Sequence, residues 1–298
     1  MNEALNYNHC PLCGAAGISK VFMVKDHSVS QEQFGIYHCA GCQLRFTHPA
    51  PSPSVIGNYY QSENYISHSD TSKGFINRLY RHVRKIAIGG KKKLVEKNTG
   101  LTCGSLLDVG SGTGYFAMAM KNSGWQVTAL EPDEGARKVA QQQHALELLP
   151  AEELFHLPEN SFDAITLWHV LEHVHDVKKY MAAFKMLLKE SGRLFIAVPN
   201  YTSHDAKVYK EHWAAYDVPR HLYHFAPVTM QRLMKEMELK ITAIRPMWFD
   251  SFYVSLLSSR YKNGRTNWPG ALWTALVSNL EAMRDMKKCS SVIYIISK

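Results

Sequence analysis

The sequence has no apolar run approaching the ~20 residues that a membrane-spanning helix needs. Its first residues, MNEALNYNHC, lack the basic-then-apolar layout of a secretory leader. The reading is therefore a cytoplasmic chain without a membrane span. Internal repeats and low-complexity tracts are absent, and the composition lies outside the disordered and collagen-like ranges. Neither sign of charge dominates: 34 Lys+Arg against 26 Asp+Glu leave +8, a surplus that favours phosphates, nucleic acid or acidic lipids without choosing among them. What is present is a globular composition with 46% hydrophobic residues. Its 298 residues suit one catalytic-sized domain plus something smaller.

Cysteine is scarce, at six residues, yet four of the six form a pattern. Cys10 and Cys13 make one C-x2-C hook and Cys39 and Cys42 another, while Cys103 and Cys289 stand alone. Two such hooks suit a tetrahedral Zn²⁺ held by four thiolates, with Gly14 and Gly41 easing the turns. A reducing compartment argues against disulfides. Four thiolates leave no open coordination position, so this metal would hold a fold and perform no chemistry. His9 and His38 flank the hooks as reserve ligands.

The prolines of THPAPSP (47–53) mark a boundary between a zinc ribbon over 1–50 and a linker and helical cover over 51–100. Phe75, Leu79, Val83 and Ile86 predict an amphipathic helix over 74–89 that ends at Gly89-Gly90, and the following Lys91–Lys93 run reads as a solvated surface. From Ser105 onward, short apolar runs alternate with helical segments. Strands are expected at 105–109, 126–130, 146–149, 164–168 and 193–198, and helices at 115–123, 134–143 and 177–189. This alternation predicts an α/β Rossmann-like fold, a mostly parallel sheet with helices on both faces. Residues 240–247 and 290–298 supply two more strands.

The strand SLLDV runs into Gly110-Ser111-Gly112-Thr113-Gly114 and then a helix, a nucleotide-type turn at the end of a first parallel strand. A dinucleotide would need its third glycine where Tyr115 stands. Asp108 would repel a pyrophosphate but attract the ammonium and sulfonium of S-adenosylmethionine. Glu131 ends the second strand, where a carboxylate can accept both ribose hydroxyls.

With these residues on view, the chain resembles the class I S-adenosylmethionine-dependent methyltransferases over about residues 101–298. The motifs are LLDVGSGTGYF, Glu131-Pro132 within LEPDEGA, and SFDAITLWHVLEHV (161–174). The resemblance implies a seven-stranded sheet with an antiparallel last strand. It implies adenine contacts at Ala151 and Glu152, where members often carry Asp-Ala, and places His169 at the methionyl end of the cofactor, with Glu172 capping or bracing the next helix. His169-x-x-Glu172-His173 also matches an inverted zinc-peptidase pattern. A second metal is not expected there, because the residues lie inside the methyltransferase signature.

The block from Trp213 to His224, rich in aromatic and ionisable residues, is expected to be a substrate lid within an insertion near 200–226. Core packing could account for Trp213 and Tyr223, but Asp217, Arg220 and His221 are poor core residues without partners, which favours the lid. Tyr59, Tyr60, Tyr65 and His68 could close the same pocket or pack under the ribbon. His221, His173 and Asp217 are the candidate catalytic residues, with His221 first as general base. The sequence thus predicts methyl transfer to a small-molecule acceptor, with sugars and lipid-linked molecules included. The alternative is an RNA-modifying methyltransferase whose ribbon and basic helix grip the phosphate backbone.

Overall fold

The structure is a computed structural model; it describes residues 4–60 and 75–298, with side chains of the first long helix described from Val83 onward. In chain order the ribbon strands are β1 (Ala4–Leu5), β2 (Ile18–Lys25), β3 (Gln33–Cys39), β4 (Arg45–His48) and β5 (Ala50–Pro51). The long helix α1 (Phe75–Thr99) leads into β6 (Ser105–Val109), α2 (Tyr115–Lys121), β7 (Gln126–Leu130) and α3 (Glu134–His144). Then come β8 (Phe162–Trp168), α4 (Val177–Leu187), β9 (Leu188–Pro199), α5 (His204–Tyr209) and β10 (Tyr223–His224). The chain closes with α6 (Pro227–Glu236), β11 (Lys240–Pro246), α7 (Asp250–Asn263), α8 (Trp268–Arg284) and β12 (Ser291–Ser297).

The main sheet has the order β11-β12-β9-β8-β6-β7. Strands β7, β6, β8 and β9 run parallel, and β12 is antiparallel to both its neighbours. Alternate residues face opposite layers, as the pleat requires. Leu106, Ala164, Phe195 and Ile295 pack with α1 and α2 around Val95, Phe116 and Met120. Leu107, Ile165, Ile196 and Ile296 pack with α4 and α6 on the other face, in a core that continues into Cys39, Leu44 and Phe46 of the ribbon.

Two expectations are corrected. Among the described residues the main sheet has six strands, not seven, because the expected strand at 146–149 contributes only the single bridge Leu130–Leu149. Pro150 follows at once and has no N–H to extend the ladder. The first long helix does not stop at Gly89-Gly90 but runs on to Thr99. Neither glycine there has a positive φ, and Val95 anchors the second half in the core. Tyr65 and His68 lie outside the described residues.

The ribbon's own sheet has the order β10-β4-β3-β2, so its edge strand comes from residues 223–224. Side chains fasten the same seam. Thr47 Oγ1 donates to the His221 carbonyl at 2.6 Å, Arg45 Nη1 to Tyr216 Oη at 2.6 Å, and Tyr201 Oη to the Gln43 carbonyl at 2.6 Å. Trp213, Tyr216, Arg220, Tyr223 and His224, expected in a lid, are all buried, Trp213 and Tyr216 in a cluster with Val24, Phe34 and Ile36 of the ribbon and Val254 of α7.

Candidate active site

The loop after β6 carries left-handed backbone at all three glycines, with φ of 69° at Gly110, 54° at Gly112 and 81° at Gly114. A side chain at such a φ costs ~1–2 kcal/mol. Their surroundings differ. A Cβ on Gly110 would lie 2.5 Å from Val170 Cγ2, and one on Gly114 would lie 3.2 Å from Leu146, so these two let the loop press against its neighbours. A Cβ on Gly112 would meet nothing within 4 Å, so that position opens outward.

Two buried carboxylates frame the loop. Asp108 accepts from Ser111 Oγ at 2.5 Å and Thr166 Oγ1 at 2.7 Å. Burial pushes its carboxyl up to about 6, against the pull of those hydrogen bonds and of the Lys91 charge. Glu131 accepts from the Gly112 N–H at 2.7 Å and the Asp133 N–H at 3.0 Å, and burial raises its carboxyl too. Arg137 holds the carbonyls of Glu131 and Pro132. Leu149, bridged to β7, brings Ala151 and Glu152 to the same edge of the sheet, with Glu152 exposed. Ser111 and Thr113 are half-buried in the turn. Anionic side chains beneath an open glycine turn fit a ligand that carries cationic groups and sugar hydroxyls.

Beside the loop, the segment after β8 gathers histidines. His169 lies with Nδ1 3.2 Å from Glu172 Oε1 and Nε2 2.8 Å from Asp250 Oδ2. Although burial opposes a charge there, Asp250 and Glu172 push His169 up to about 10, so it is an imidazolium. Both of its ring nitrogens are thus engaged within the protein. His173 Nδ1 lies 3.0 Å from the Arg220 carbonyl and 2.9 Å from Tyr60 Oη, and burial, then the neighbouring His221, push it down to about 4. His221 Nδ1 donates to the Ala215 carbonyl at 2.8 Å, which leaves Nε2 as the acceptor nitrogen, and its ring meets His173 edge-on at 4.6 Å. Asp217 comes within 3.9 Å of His221 Nε2, but both its oxygens hold Arg220, at 2.6 and 3.0 Å. Arg220 also reaches the buried Asp26 at 3.2 Å. The partners that a buried Arg220 requires are therefore supplied by the ribbon and by Asp217.

A family model described as a methyltransferase domain matches residues 79–244, more than half of the chain. The chain belongs to the methyltransferase family. Ubiquinone biosynthesis O-methyltransferase of Xanthomonas oryzae pv. oryzae is 30% identical over 159 residues, covering 49% of this chain and 66% of its own length. The enzyme of the same description from Idiomarina loihiensis is 30% identical over 181 residues, 56% of this chain and 74% of its own. The geranyl diphosphate C-methyltransferase of Streptomyces coelicolor A3(2) has the same fold, at a TM-score of 0.51 and 12% identity over 83% of this chain and 99% of that one. The class I methyltransferase fold and the S-adenosylmethionine dependence expected from the loop are thereby supported.

In this methyltransferase the four ribbon cysteines converge, with their sulfurs all within 4.8 Å of one another. Cys10–Cys42 and Cys13–Cys39 each stand at 3.6 Å. Zn–S bonds of ~2.3 Å make a tetrahedron with edges of ~3.8 Å, so the donor set fits zinc. The hydrogen bond with Cys42 is the main cause that lowers Cys10 to about 5. One expectation is corrected: the left-handed turns fall at Gly14 and Gln43, not Gly41. Gly41 is needed for space, because its Cβ would stand 3.2 Å from the Ala15 Cβ. His38 bonds Gln43 and lies outside the sulfur cluster.

Sequence reasoning missed Lys91 and Asp250. Lys91 is no solvated surface: its Nζ lies 4.6 Å from the Trp168 ring centre, and its charge is felt by Asp108 and Asp250. A signal existed, since Lys91 falls between Ile88 and Val95 on the inward helical stripe. It was hidden by ending the helix too early. Asp250 pairs with a histidine 81 positions away, and no local pattern reveals such a partner. The helix expected to be capped by Glu172 is capped by Asp176 instead, which accepts from the Lys179 N–H, while Glu172 braces His169.

Proposed function

We propose that this methyltransferase moves a methyl group from S-adenosylmethionine to a hydroxyl, amine or carbon of a small-molecule acceptor, with glycan- and lipid-linked acceptors included. The observation that carries this reading is the edge-on His173–His221 pair, His173 standing three residues after the Val170 that packs on Gly110 of the loop framed by Asp108 and Glu131. The curated relatives, named for ubiquinone biosynthesis, support a small acceptor. When bound, S-adenosylmethionine supplies a methyl already activated on a cationic sulfur. Asp108, Gly110, Ser111, Gly112, Thr113 and Gly114 would hold its amino-acid end, Glu131 and Pro132 its ribose, and Ala151 and Glu152 its adenine. His169, fixed as an imidazolium, would line the methionyl side through its ring edge.

The protein's remaining task is to align the acceptor, exclude water and accept a proton. His221 suits the last role. Its Nδ1–H is fixed on the Ala215 carbonyl, which leaves Nε2 as the proton-accepting nitrogen. His173 is held neutral and is a weaker base, with the role of packing against His221. Asp217 holds Arg220 with both oxygens, and so positions rather than reacts. Cys10, Cys13, Cys39 and Cys42 would hold one structural zinc, which stiffens the wall that carries these groups.

The RNA-modifying reading has less support. Arg84 stacks on Tyr115 at 3.9 Å, Lys91 faces inward and Lys92 pairs with Glu96, so much of the basic stripe described in α1 is engaged internally. The test is His221→Ala. Turnover should fall by roughly 10²–10⁴-fold with cofactor affinity nearly unchanged. Unchanged turnover on an identified hydroxyl acceptor would end the base assignment.

A further inference from the structure

The helical hairpin between β11 and β12 is built inside out. On α8 the residues turned toward the protein are small: Ala271, Thr274, Ala275, Ser278 and Ala282 are buried. They pack against α7, whose buried face is Ser251, Val254, Ser255, Ser258 and Ser259. The large apolar side chains point the other way. Trp268, Leu272, Trp273, Leu276, Leu280 and Met283 are exposed, with Trp273 at 67% and Met283 at 72%. At 3.6 residues per turn these six fall within an arc of about 140°, so they form one continuous stripe. Trp248 and Phe249, exposed just ahead of α7, extend it: the Trp248 carbonyl accepts from Asn279 of α8 at 3.0 Å. A water-facing stripe of this size calls for an occupant.

Its charge identifies that occupant. Residues 245–288 hold seven Lys and Arg against three carboxylates, Asp250, Glu281 and Asp285. Asp250 is engaged by His169 and Glu281 by His204. Arg260, Lys262 and Arg265 are exposed at the hairpin tip, and Arg284, Lys287 and Lys288 at the opposite end. An apolar stripe with tryptophans, flanked at both ends by cations, matches an anionic lipid surface. A symmetric dimer through the same face would bring the cations of two copies together. No described helix is long and apolar enough to cross a membrane, which fits a hairpin that lies on one.

We propose that the α7–α8 hairpin is a peripheral membrane-docking face that seats the enzyme on anionic bilayers. The face adjoins the reaction site, because Asp250, the first residue of α7, is the residue that holds His169. Docking therefore sets the histidine corner beside the bilayer. The inference stands without the acceptor assignment above, since it rests on surface composition alone.

The test is sedimentation of the full chain with sucrose-loaded vesicles, either mixed phosphatidylcholine–phosphatidylglycerol or phosphatidylcholine alone. The protein should pellet with the anionic vesicles, and binding should fall as salt rises. Trp273→Ala/Leu276→Ser should bind at least about tenfold more weakly. Arg284→Glu/Lys287→Glu should weaken binding to the anionic vesicles only. Circular dichroism and S-adenosylhomocysteine binding check that both variants remain folded. Absence of vesicle binding, equal binding to neutral vesicles, or a dimer in light scattering that Leu276→Glu splits would each overturn the proposal.

Discussion

Gly110→Ala adds one methyl at a point where the structure leaves no room. Its Cβ would stand 2.5 Å from Val170 Cγ2, on backbone with φ +69°. The left-handed backbone costs ~1–2 kcal/mol for a residue with a side chain. Overpacking against a valine adds ~1–3 kcal/mol. The expected loss is therefore about 2–5 kcal/mol in urea unfolding of the ligand-free protein. Gly112→Ala supplies the control, because its Cβ meets nothing within 4 Å and only backbone strain, at φ +54°, applies. That variant should lose ~1–2 kcal/mol of stability. Its main effect should be on S-adenosylhomocysteine affinity in calorimetry, with a drop of about tenfold or more as the methyl enters the space open to the ligand. Val170→Ala in the Gly110→Ala background should restore ~1–3 kcal/mol, since only the packing part of the penalty is relieved. Equal destabilisation by the two glycine replacements, or no recovery with Val170→Ala, would refute the assignment of one glycine to packing and the other to the ligand.

Glu131→Ala should weaken cofactor binding by about 1.5–3 kcal/mol, as charge-assisted hydrogen bonds are lost; unchanged calorimetric affinity would remove Glu131 from the site. Elemental analysis should find one zinc per chain, and stripping it should raise amide exchange in residues 220–224 as well as in the ribbon, because β10 pairs with β4. His169 carries a pKa of about 10 in the fold against an ordinary 6.5, so its ion pairs stabilise fully below pH ~6.5 and are lost as pH rises through about 10. The His169→Gln variant should accordingly lose less stability than the parent between pH 7 and 10, and identical pH profiles in urea unfolding would rule out the ion-paired imidazolium. Arg220→Met should destabilise by ~3–5 kcal/mol, since Asp26 would be left buried and unpaired.

The parts legible in the sequence were those with local signals. Strand SLLDV, its glycine turn and Glu131 each follow from residues within a short window, and they fall where expected. The cysteine hooks were legible for the same reason, because spacing alone brings four thiols into reach. Misreadings arose where distant parts of the chain decide. The block from Trp213 to His224 looks too polar for a core when read alone. It is a core because Asp26, Arg45 and Thr47, more than 150 residues earlier, satisfy its polar groups. The strand expected at 146–149 had the right composition, yet a single proline leaves it as one bridge. The inverted polarity of α8 was equally hidden, since periodicity marks an apolar stripe without saying which way it faces.

The pairing of β4 with β10 also has a consequence for how the molecule is made. Phe46 finds its strand partner at Tyr223, and the intervening chain includes much of the catalytic sheet. At ~5–20 residues per second of synthesis, the ribbon waits roughly 10–35 s for that partner. During that interval β4 presents an open edge, the kind that pairs with other chains. Its cysteines are already available, so the metal proposed above would be captured first and hold β2, β3 and β4 in register. The edge is then closed only when the sheet's second half arrives. The amino-terminal unit is thus begun early and completed late, and with the zinc proposed above, metal supply during translation would act on yield rather than on turnover.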